Sequence, residues 1–588
     1  MKVKYFKTKD WSLIKNFSRF FIPHKRWLFL SIGSIPVTTA AGLIFLWLIE
    51  RIIDDYIVPG EKNGLMFYSV MLIIVLIINY AFDAIYSYSF SKAGNLAIVD
   101  MRKELFSKTL HFPLKYYDKV PIGITLSRLT SDMESLSESF ASGILNLIAD
   151  SIKTIALLSY LFFLNWKLTL VVLIVLPPII LVITYLRKKI RIAFNITRSS
   201  LAQSASYLQE SLSGIKTIQL YSAEEETFRK YDHLNKKFCD AQNKSNIFDS
   251  ALYSIVEGIT SIAVGLVVLF GASLIWNFGF TLGVLIVFIT TLNRLFIPIK
   301  QFSQQITTIQ RSLSSLEHID SLFRQEEEED AIQISKNGIA ILDDLEEIEF
   351  KDVYFRYSEN DEDVLKGISF KLQKGQRIAL VGATGSGKST IIKILSKSYK
   401  GYRGSIKING VELSDIPLKN INEIISIMQQ DIFMFNDTIG FNISLGRESV
   451  KKDDIEKSAA FVYADKFIEK LPEKYDFKLL DNAANLSKGQ AQLISFARTI
   501  CGNSELIILD EATSAVDSLT EKHIQKAIEN IFSKKTVIAV AHRLSTIKHS
   551  DIILVLENGI IIEKGDHQQL LNLAGKYAQL LNEFDTNK

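Results

Sequence analysis

Cysteine is nearly absent from this chain: its 588 residues hold only Cys239 and Cys501. The two lie far apart and fit neither a disulfide framework nor a zinc pattern, so nothing requires an oxidising compartment. The eight histidines are scattered without metal-ligand spacing. Strong charge of one sign is also missing, because 67 Lys and Arg face 64 Asp and Glu for a net charge of +3. There is no global basic field to suggest nucleic acid, and no nucleic-acid partner is expected. What the chain does have is length, enough for about three or four domains. Its 48% hydrophobic content is better explained by membrane spans than by one large soluble core.

Six apolar runs support that explanation, near residues 27–52, 65–84, 141–163, 168–186, 255–275 and 282–299. Each has about the 20 residues that a 1.5 Å rise needs to cross a 30 Å hydrocarbon layer. A buried soluble helix would explain any single run but not six in the first 300 residues. Lysine and arginine crowd the N-terminal segment and the long stretches 91–140 and 187–254, whereas the connections 54–64, 165–167 and 276–281 hold few cations. Cytoplasmic loops retain such cations, so both termini are expected in the cytoplasm. The first run is too long, and lacks a small-residue cleavage site, to read as a cleaved signal peptide. Trp11, Ile14, Phe17 and Phe21 fall near helical spacing, which predicts an in-plane helix before the first span.

Asp83, Asp150, Lys153, Glu257 and Arg294 lie inside or near the spans. Exposure of such groups to lipid is costly, so they are expected to face a bundle interior, a water-filled chamber or the cytoplasm. An ion pair of Arg294 with Asp150 competes with a substrate role.

After the sixth run, residues 311–345 read as a polar linker containing Glu326-Glu327-Glu328-Glu329-Asp330. Beyond it, short β-branched runs alternate with helical segments, the signature of an α/β domain with parallel strands. The expected organisation is therefore a helical transmembrane domain over 1–310, a linker over 311–345, and an α/β domain over 346–588.

The apolar strand Ile378 to Val381 runs into Gly382-Ala383-Thr384-Gly385-Ser386-Gly387-Lys388-Ser389-Thr390, and a helical start follows. The glycines let backbone N–H groups close around phosphates, Lys388 can reach the β and γ oxygens, and the Ser389 hydroxyl can ligate Mg²⁺. The helix N-terminus adds a favourable field for the anion. A nucleoside triphosphate is the implied ligand. Leu506-Ile507-Ile508-Leu509-Asp510-Glu511 is a continuous apolar strand ending in two carboxylates. Such a strand is buried on both faces, and its C-terminal end is where open α/β sheets hold ligands. That places Asp510 near Mg²⁺ and Glu511 near the γ-phosphate. A further strand, Thr536 to Ala541, ends at His542.

With Leu486-Ser487-Lys488-Gly489-Gln490 between those two strands, the chain resembles an ATP-binding cassette exporter of the half-transporter type over nearly its whole length. The resemblance implies six transmembrane helices fused to an α/β P-loop ATPase, with ATP and Mg²⁺ as cofactors. It assigns Gly382 to Thr390 to the Walker A motif and Leu506 to Glu511 to Walker B. Asp517 falls in the D-loop, His542 is the switch histidine, Tyr357 stacks on adenine, and Gln430 is the Q-loop glutamine and a further metal contact. Tyr117-Asp118, Gly123, Ser127-Arg128 and Asp132 resemble the first intracellular loop, and Glu210, Gly214-Ile215 and Thr217-Ile218 the second. Two cassettes are expected to close head to tail, each ATP lying between one phosphate loop and the partner's Ser487, Lys488, Gly489 and Gln490. Glu511 would act as general base, with Lys388 and His542 on the γ-phosphate.

The resemblance has departures. Lys488 stands at the third position of the usual Leu-Ser-Gly-Gly-Gln, Ala491 and Leu493 where arginine is frequent, and Leu480-Asp481-Asn482-Ala483 in place of a Gly-Glu-X-Gly loop. Such one-sided change resembles subunits of heterodimeric exporters. The expected function is ATP-driven export or flipping of a small amphiphile, lipid or peptide in a bacterial plasma membrane. The alternative is a slow-turnover regulatory or ATP-gated subunit.

Overall fold

The computed structural model describes residues 8–142, 144–278, 280–325, 342, 344–502, 504–510, 518–540 and 547–586. Two compact units result, one of Met1–Leu110 with Pro121–Gln325, the other of His111–Val120 with Glu326–Lys588.

The first unit is helical. Its long helices are Lys25–Arg51, Leu65–Leu110, Ile144–Leu164, Trp166–Ser213, Glu224–Phe278 and Leu282–Phe323. At 1.5 Å per residue the fourth, of 48 residues, spans about 70 Å, more than twice a hydrocarbon layer. Among the described residues five helices are long and apolar enough to cross a membrane, and Leu282–Leu292 is a shorter apolar stretch opening the sixth. The helix over Leu65–Leu110 buries only 6% of its most apolar window. Phe29, Ile77, Phe163, Ile174 and Leu269 are likewise exposed, as a lipid-facing surface requires. Inward, Leu46, Leu161, Val172, Ile179, Val267, Phe288 and Leu292 pack one core.

Local chemistry sets the ends of these helices. The Asn165 side chain accepts from Leu168 N at 3.1 Å and the Thr281 hydroxyl from Val284 N at 3.3 Å, each capping a helix start. Asp54 Oδ1 accepts from Gly283 N at 2.7 Å, and a Cβ at position 283 would lie 2.5 Å from Asp54 Oδ2. Glycine is thus required there by close approach.

A helix forms over Thr8–Ser18, where the sequence predicts one. Phe17 is buried, and its ring packs against Phe20 and Phe323 at 6.3 and 5.9 Å. At least this part of the apolar face covers the end of the last long helix instead of lipid. That helix runs to Phe323, well into the stretch read as linker. The linker's acidic run 326–330 lies outside the described residues.

Among the described residues the second unit has ten strands: β1 Glu347–Phe355, β2 Leu365–Gln373, β3 Arg377–Gly382, β4 Arg403–Ile408, β5 Val411–Glu412, β6 Ile425–Met428, β7 Leu506–Asp510, β8 Thr536–Val540, β9 Ile552–Glu557 and β10 Ile560–Gly565. A four-stranded antiparallel sheet has the order β2-β1-β4-β5, and a six-stranded sheet the order β10-β9-β3-β8-β7-β6. In the larger sheet β9, β3, β8, β7 and β6 are parallel. The apolar run of β7 is buried on both faces because the sheet separates two cores. Leu506 and Ile508 join one with Ile378, Leu380 and Ile538. Ile507 and Leu509 join the other with Val537, Ala539 and the apolar side of helix Lys488–Ile500.

The candidate nucleotide site

The phosphate loop follows β3 and closes on helix Lys388–Leu395. Crowding explains two of its three glycines. A Cβ on Gly382 would sit 2.2 Å from the Leu556 carbonyl oxygen, and one on Gly387, at φ +105°, 2.7 Å from Leu365 Cδ2. Lys388 is buried, and its ammonium donates to Gly382 O at 2.8 Å and Ala383 O at 2.9 Å. The chain thereby holds a cation at the turn. The Ser386 hydroxyl is buried with no hydrogen-bond partner, while Ala383, Thr384, Gly385 and Ser389 are exposed. A buried ammonium beside an orphaned hydroxyl is what a phosphate would satisfy.

Tyr357, half-buried, shares a hydrogen bond of 2.9 Å between its hydroxyl and Thr390 Oγ1. Its ring meets Tyr399 edge-on at 5.0 Å and Phe355 at 5.2 Å. The aromatic is thus tied to the helix that opens from the phosphate loop.

Strand register brings the acid end of β7 to the loop. Asp510 pairs with Val540 of β8, and Val540 with Leu380 of β3. Asp510 therefore lies two strands, about 10 Å, from the chain entering the loop. Glu511, Asp517 and His542 lie outside the described residues; β7 and β8 lead to the first and last of these. Among the described residues no cluster of three His, Cys, Asp or Glu forms a metal cage. Ser389 and Gln430 are exposed, and hydroxyl, amide and carboxylate oxygens such as those of Ser389, Gln430 and Asp510 are the donor types that suit a Mg²⁺ keeping phosphates and water as its other ligands.

Leu486 and Leu493, which flank the signature segment, pack in the second core, whereas Ile391, Ile392 and Ile394 of the helix after the phosphate loop pack in the first. Ser487 caps helix Lys488–Ile500 in a capping box: its hydroxyl accepts from Gln490 N at 3.2 Å, and Gln490 Oε1 accepts from Ser487 N at 3.0 Å. Lys488 is exposed at the first helical position and Gly489 is buried. Leu493 is buried in the second core, so the apolar residue there serves packing.

Contacts that sequence reasoning missed hold the stretch Phe433 to Phe435, just after Gln430. Met434 N donates to Asn482 Oδ1 at 2.6 Å, Arg498 Nη1 donates to Phe433 O at 2.9 Å, and Phe435 N donates to Asn442 Oδ1 at 2.8 Å. Asn482 sits in a turn where Asp481, Asn482 and Ala483 all have positive φ, 45°, 57° and 64°. This left-handed turn keeps the shape glycines would favour in the expected loop. Missed too was the docking of segment His111–Val120 in the second unit. Asp118 Oδ2 accepts from Tyr399 OH at 2.7 Å and pairs with Lys393 Nζ at 3.0 Å. The Tyr399 hydroxyl, then Lys393, hold the Asp118 carboxyl below the usual carboxylate range.

In the spans, Lys153 pairs with Asp83 at 3.1 Å, Gln305 Nε2 donates to Asp150 Oδ2 at 3.4 Å, and Arg294 lies over the Phe45 ring at 4.8 Å. The pairing weighed between Arg294 and Asp150 is thus replaced by these contacts: each group meets a neighbour on another helix.

Known proteins fit this architecture. Residues 28–299 match the ABC transporter transmembrane region family and 365–514 the ABC transporter family. An ABC transporter ATP-binding protein of Bacillus subtilis, YknV, is 33% identical over 97% of this chain and 94% of its own length. An ATP-dependent lipid A-core flippase of Albidiferax ferrireducens is 30% identical over 95% and 96%. The structure of a bacterial Atm1-family ABC exporter with ATP bound superposes with a TM-score of 0.75 over 95% of this chain and 98% of that one, at 24% identity, which speaks to fold. The chain belongs to the ABC transporter family, as an integral membrane half-transporter of the exporter type whose ATPase is coupled to transport.

Proposed function

We propose that this chain is one half of a dimeric exporter that moves a lipid or another amphiphile, with small molecules and peptides as the broader class, by alternating access. The observation that carries the proposal is the loop at Lys388, where a buried ammonium, the orphaned Ser386 hydroxyl and the anchored Tyr357 ring form half of a nucleotide site. The residues flanking the signature segment pack in a separate core, which supports a second chain as the source of the other half. Leu220 ends the short helix Ile215–Leu220 and Tyr221 follows it, and both are exposed. Flippase relatives at 30% identity support a lipid cargo, and the polar contacts of Asp83, Lys153, Asp150 and Arg294 support a polar path between the helices. The bacterial relatives support a bacterial plasma membrane, and the cation pattern supports both termini inside.

In the site, Lys388 offsets γ-phosphate charge, and Ser389, Gln430 and Asp510 would hold Mg²⁺, which would supply further charge neutralisation. Tyr357 stacks on the base, Glu511 takes the proton of the attacking water, and His542 orients the γ-phosphate. Lys488 favours a heterodimer as the second reading: it puts an extra cation where the partner's ATP would dock, while this chain's own phosphate loop is intact. Glu511→Gln should lower ATP turnover by about 10² or more while nucleotide affinity holds. ATPase rates and nucleotide titration on the full chain in lipid discs measure both, and unchanged turnover removes Glu511 from the role of base.

A further inference from the structure

The end of the first span next to the N-terminal segment carries cations without acids. Lys25 and Arg26 open the helix Lys25–Arg51, and Lys92 lies on the helix Leu65–Leu110. The Ser31 hydroxyl donates to Tyr86 O at 3.2 Å and Asn79 Nδ2 to Thr38 O at 3.3 Å, which sets the two helices side by side and antiparallel. Counted from Leu65, Tyr88 and Lys92 come about 35 and 40 Å along the axis, just past a hydrocarbon layer of about 30 Å. They therefore stand at headgroup depth. Nearby cations find carboxylates: Arg19 pairs with Glu104 and His24 with Asp100. Lys25, Arg26 and Lys92 pair with no carboxylate among the described residues.

Two of these cations flank an indole. Lys92 Nζ sits 4.4 Å from the centre of the Trp27 ring, and the Arg26 guanidinium 5.5 Å from it. Lys92 also donates to the Tyr88 hydroxyl at 3.0 Å, and the Tyr88 ring meets Trp27 edge-on at 6.1 Å. A hydroxyl that accepts keeps its own hydrogen to donate. The Trp27 indole N–H is shielded from water and has no acceptor among the described residues. Donors thus dominate the cluster, and two of them are charged. An aromatic face attracts a cation but offers no oxygen; a phosphate supplies several. Phe29 and Tyr88 beside it are 71% and 59% exposed. An acyl chain would cover them, which favours a lipid over free phosphate.

We propose that Arg26, Trp27, Tyr88 and Lys92 bind the headgroup phosphate of one anionic phospholipid in the leaflet next to the N-terminal segment. This lipid is a resident of the lipid-facing wall, distinct from any cargo. A choline headgroup would bring a further positive charge between Arg26 and Lys92, so a headgroup of net negative charge is preferred.

Trp27 can report on its own site. In the full chain Trp11, Trp47, Trp166 and Trp276 are replaced by Phe, and the protein is placed in phosphatidylcholine discs. Phosphatidylglycerol or phosphatidylcholine brominated near the ester end of its acyl chains is then introduced in rising proportion, and quenching of Trp27 emission is followed. Brominated phosphatidylglycerol should quench at about tenfold lower proportion than brominated phosphatidylcholine. Arg26→Gln and Lys92→Gln should each raise the phosphatidylglycerol midpoint about fivefold, the factor expected for one cation at a membrane surface, and leave the phosphatidylcholine midpoint in place. Lys92→Arg should restore the preference. If the four Phe replacements impair folding, judged by ATP turnover, native mass spectrometry of the chain with all its tryptophans counts retained phosphatidylglycerol, which should fall by one in the two Gln variants. Equal quenching by the two lipids, or a phosphatidylglycerol midpoint unmoved by both Gln changes together, overturns the proposal. Release of the brominated lipid by inorganic phosphate would also overturn it, by assigning the cations to a free anion.

Discussion

A single methyl group has nowhere to go at Gly382. Its Cβ would lie 2.2 Å from the Leu556 carbonyl and 2.8 Å from Ser386 Oγ, whereas a Cβ on Gly385 meets nothing within 4 Å. Gly382→Ala must displace backbone of β9 and should destabilise the ATPase unit by about 2 kcal/mol or more. Gly385→Ala, at φ +84°, pays only backbone strain of about 1 kcal/mol. Thermal unfolding and titration with a fluorescent nucleotide would compare them; equal behaviour would mean that the close approach to Leu556 does not shape the loop. These residues were legible in the sequence because phosphate chemistry dictates both type and spacing. Asp118 and Tyr399 were not paired in advance, being 281 positions apart. Nothing in either local pattern announces the other.

Elements show the same division. Continuous apolarity in β7 implied burial on two faces, and the alternation of its side chains between two cores is the physical reason. The turn 481–483 could not be read, since three successive left-handed residues other than glycine run against local preference. Hydrogen bonds from Met434 N and to Asn436 hold Asn482 there. A less visible device joins β3 to β9: Arg377 Nε and Nη2 donate to the two oxygens of Asp551 at 2.9 and 2.7 Å. That bidentate contact, above all its hydrogen bonds, lowers the Asp551 pKa. The folded value lies below the unfolded one, so the stabilisation is complete above about pH 4 and fades as pH falls through the lower folded value. Both side chains are about one-third exposed, and screening limits the contribution to about 1 kcal/mol. Asp551→Asn should cost that much at pH 7 and nearly nothing near pH 2. A cost independent of pH in denaturant unfolding would assign the effect to packing.

For the whole molecule, hydropathy made the membrane half legible. Long apolar helices need no tertiary knowledge to be recognised, because lipid leaves the backbone few alternatives. Where those helices end was not legible: Leu282–Phe323 continues past its apolar stretch as a polar helix, without a composition signal for its stop. The pairing of a complete phosphate loop with an altered signature segment raises the question of what completes the site. Nucleotide held between two cassettes is proposed to close them.

The most direct measurement is the distance between the two cassettes of the purified assembly, by paired spin labels. One label replaces exposed Lys457 here, with Cys239 changed to serine, and the other sits on the cassette of the accompanying chain, identical or not. Mg²⁺ with ATP in the Glu511→Gln background should move the distance distribution to a single shorter population. The account is contradicted if the particles carry one cassette each, or if the distribution is the same with and without nucleotide.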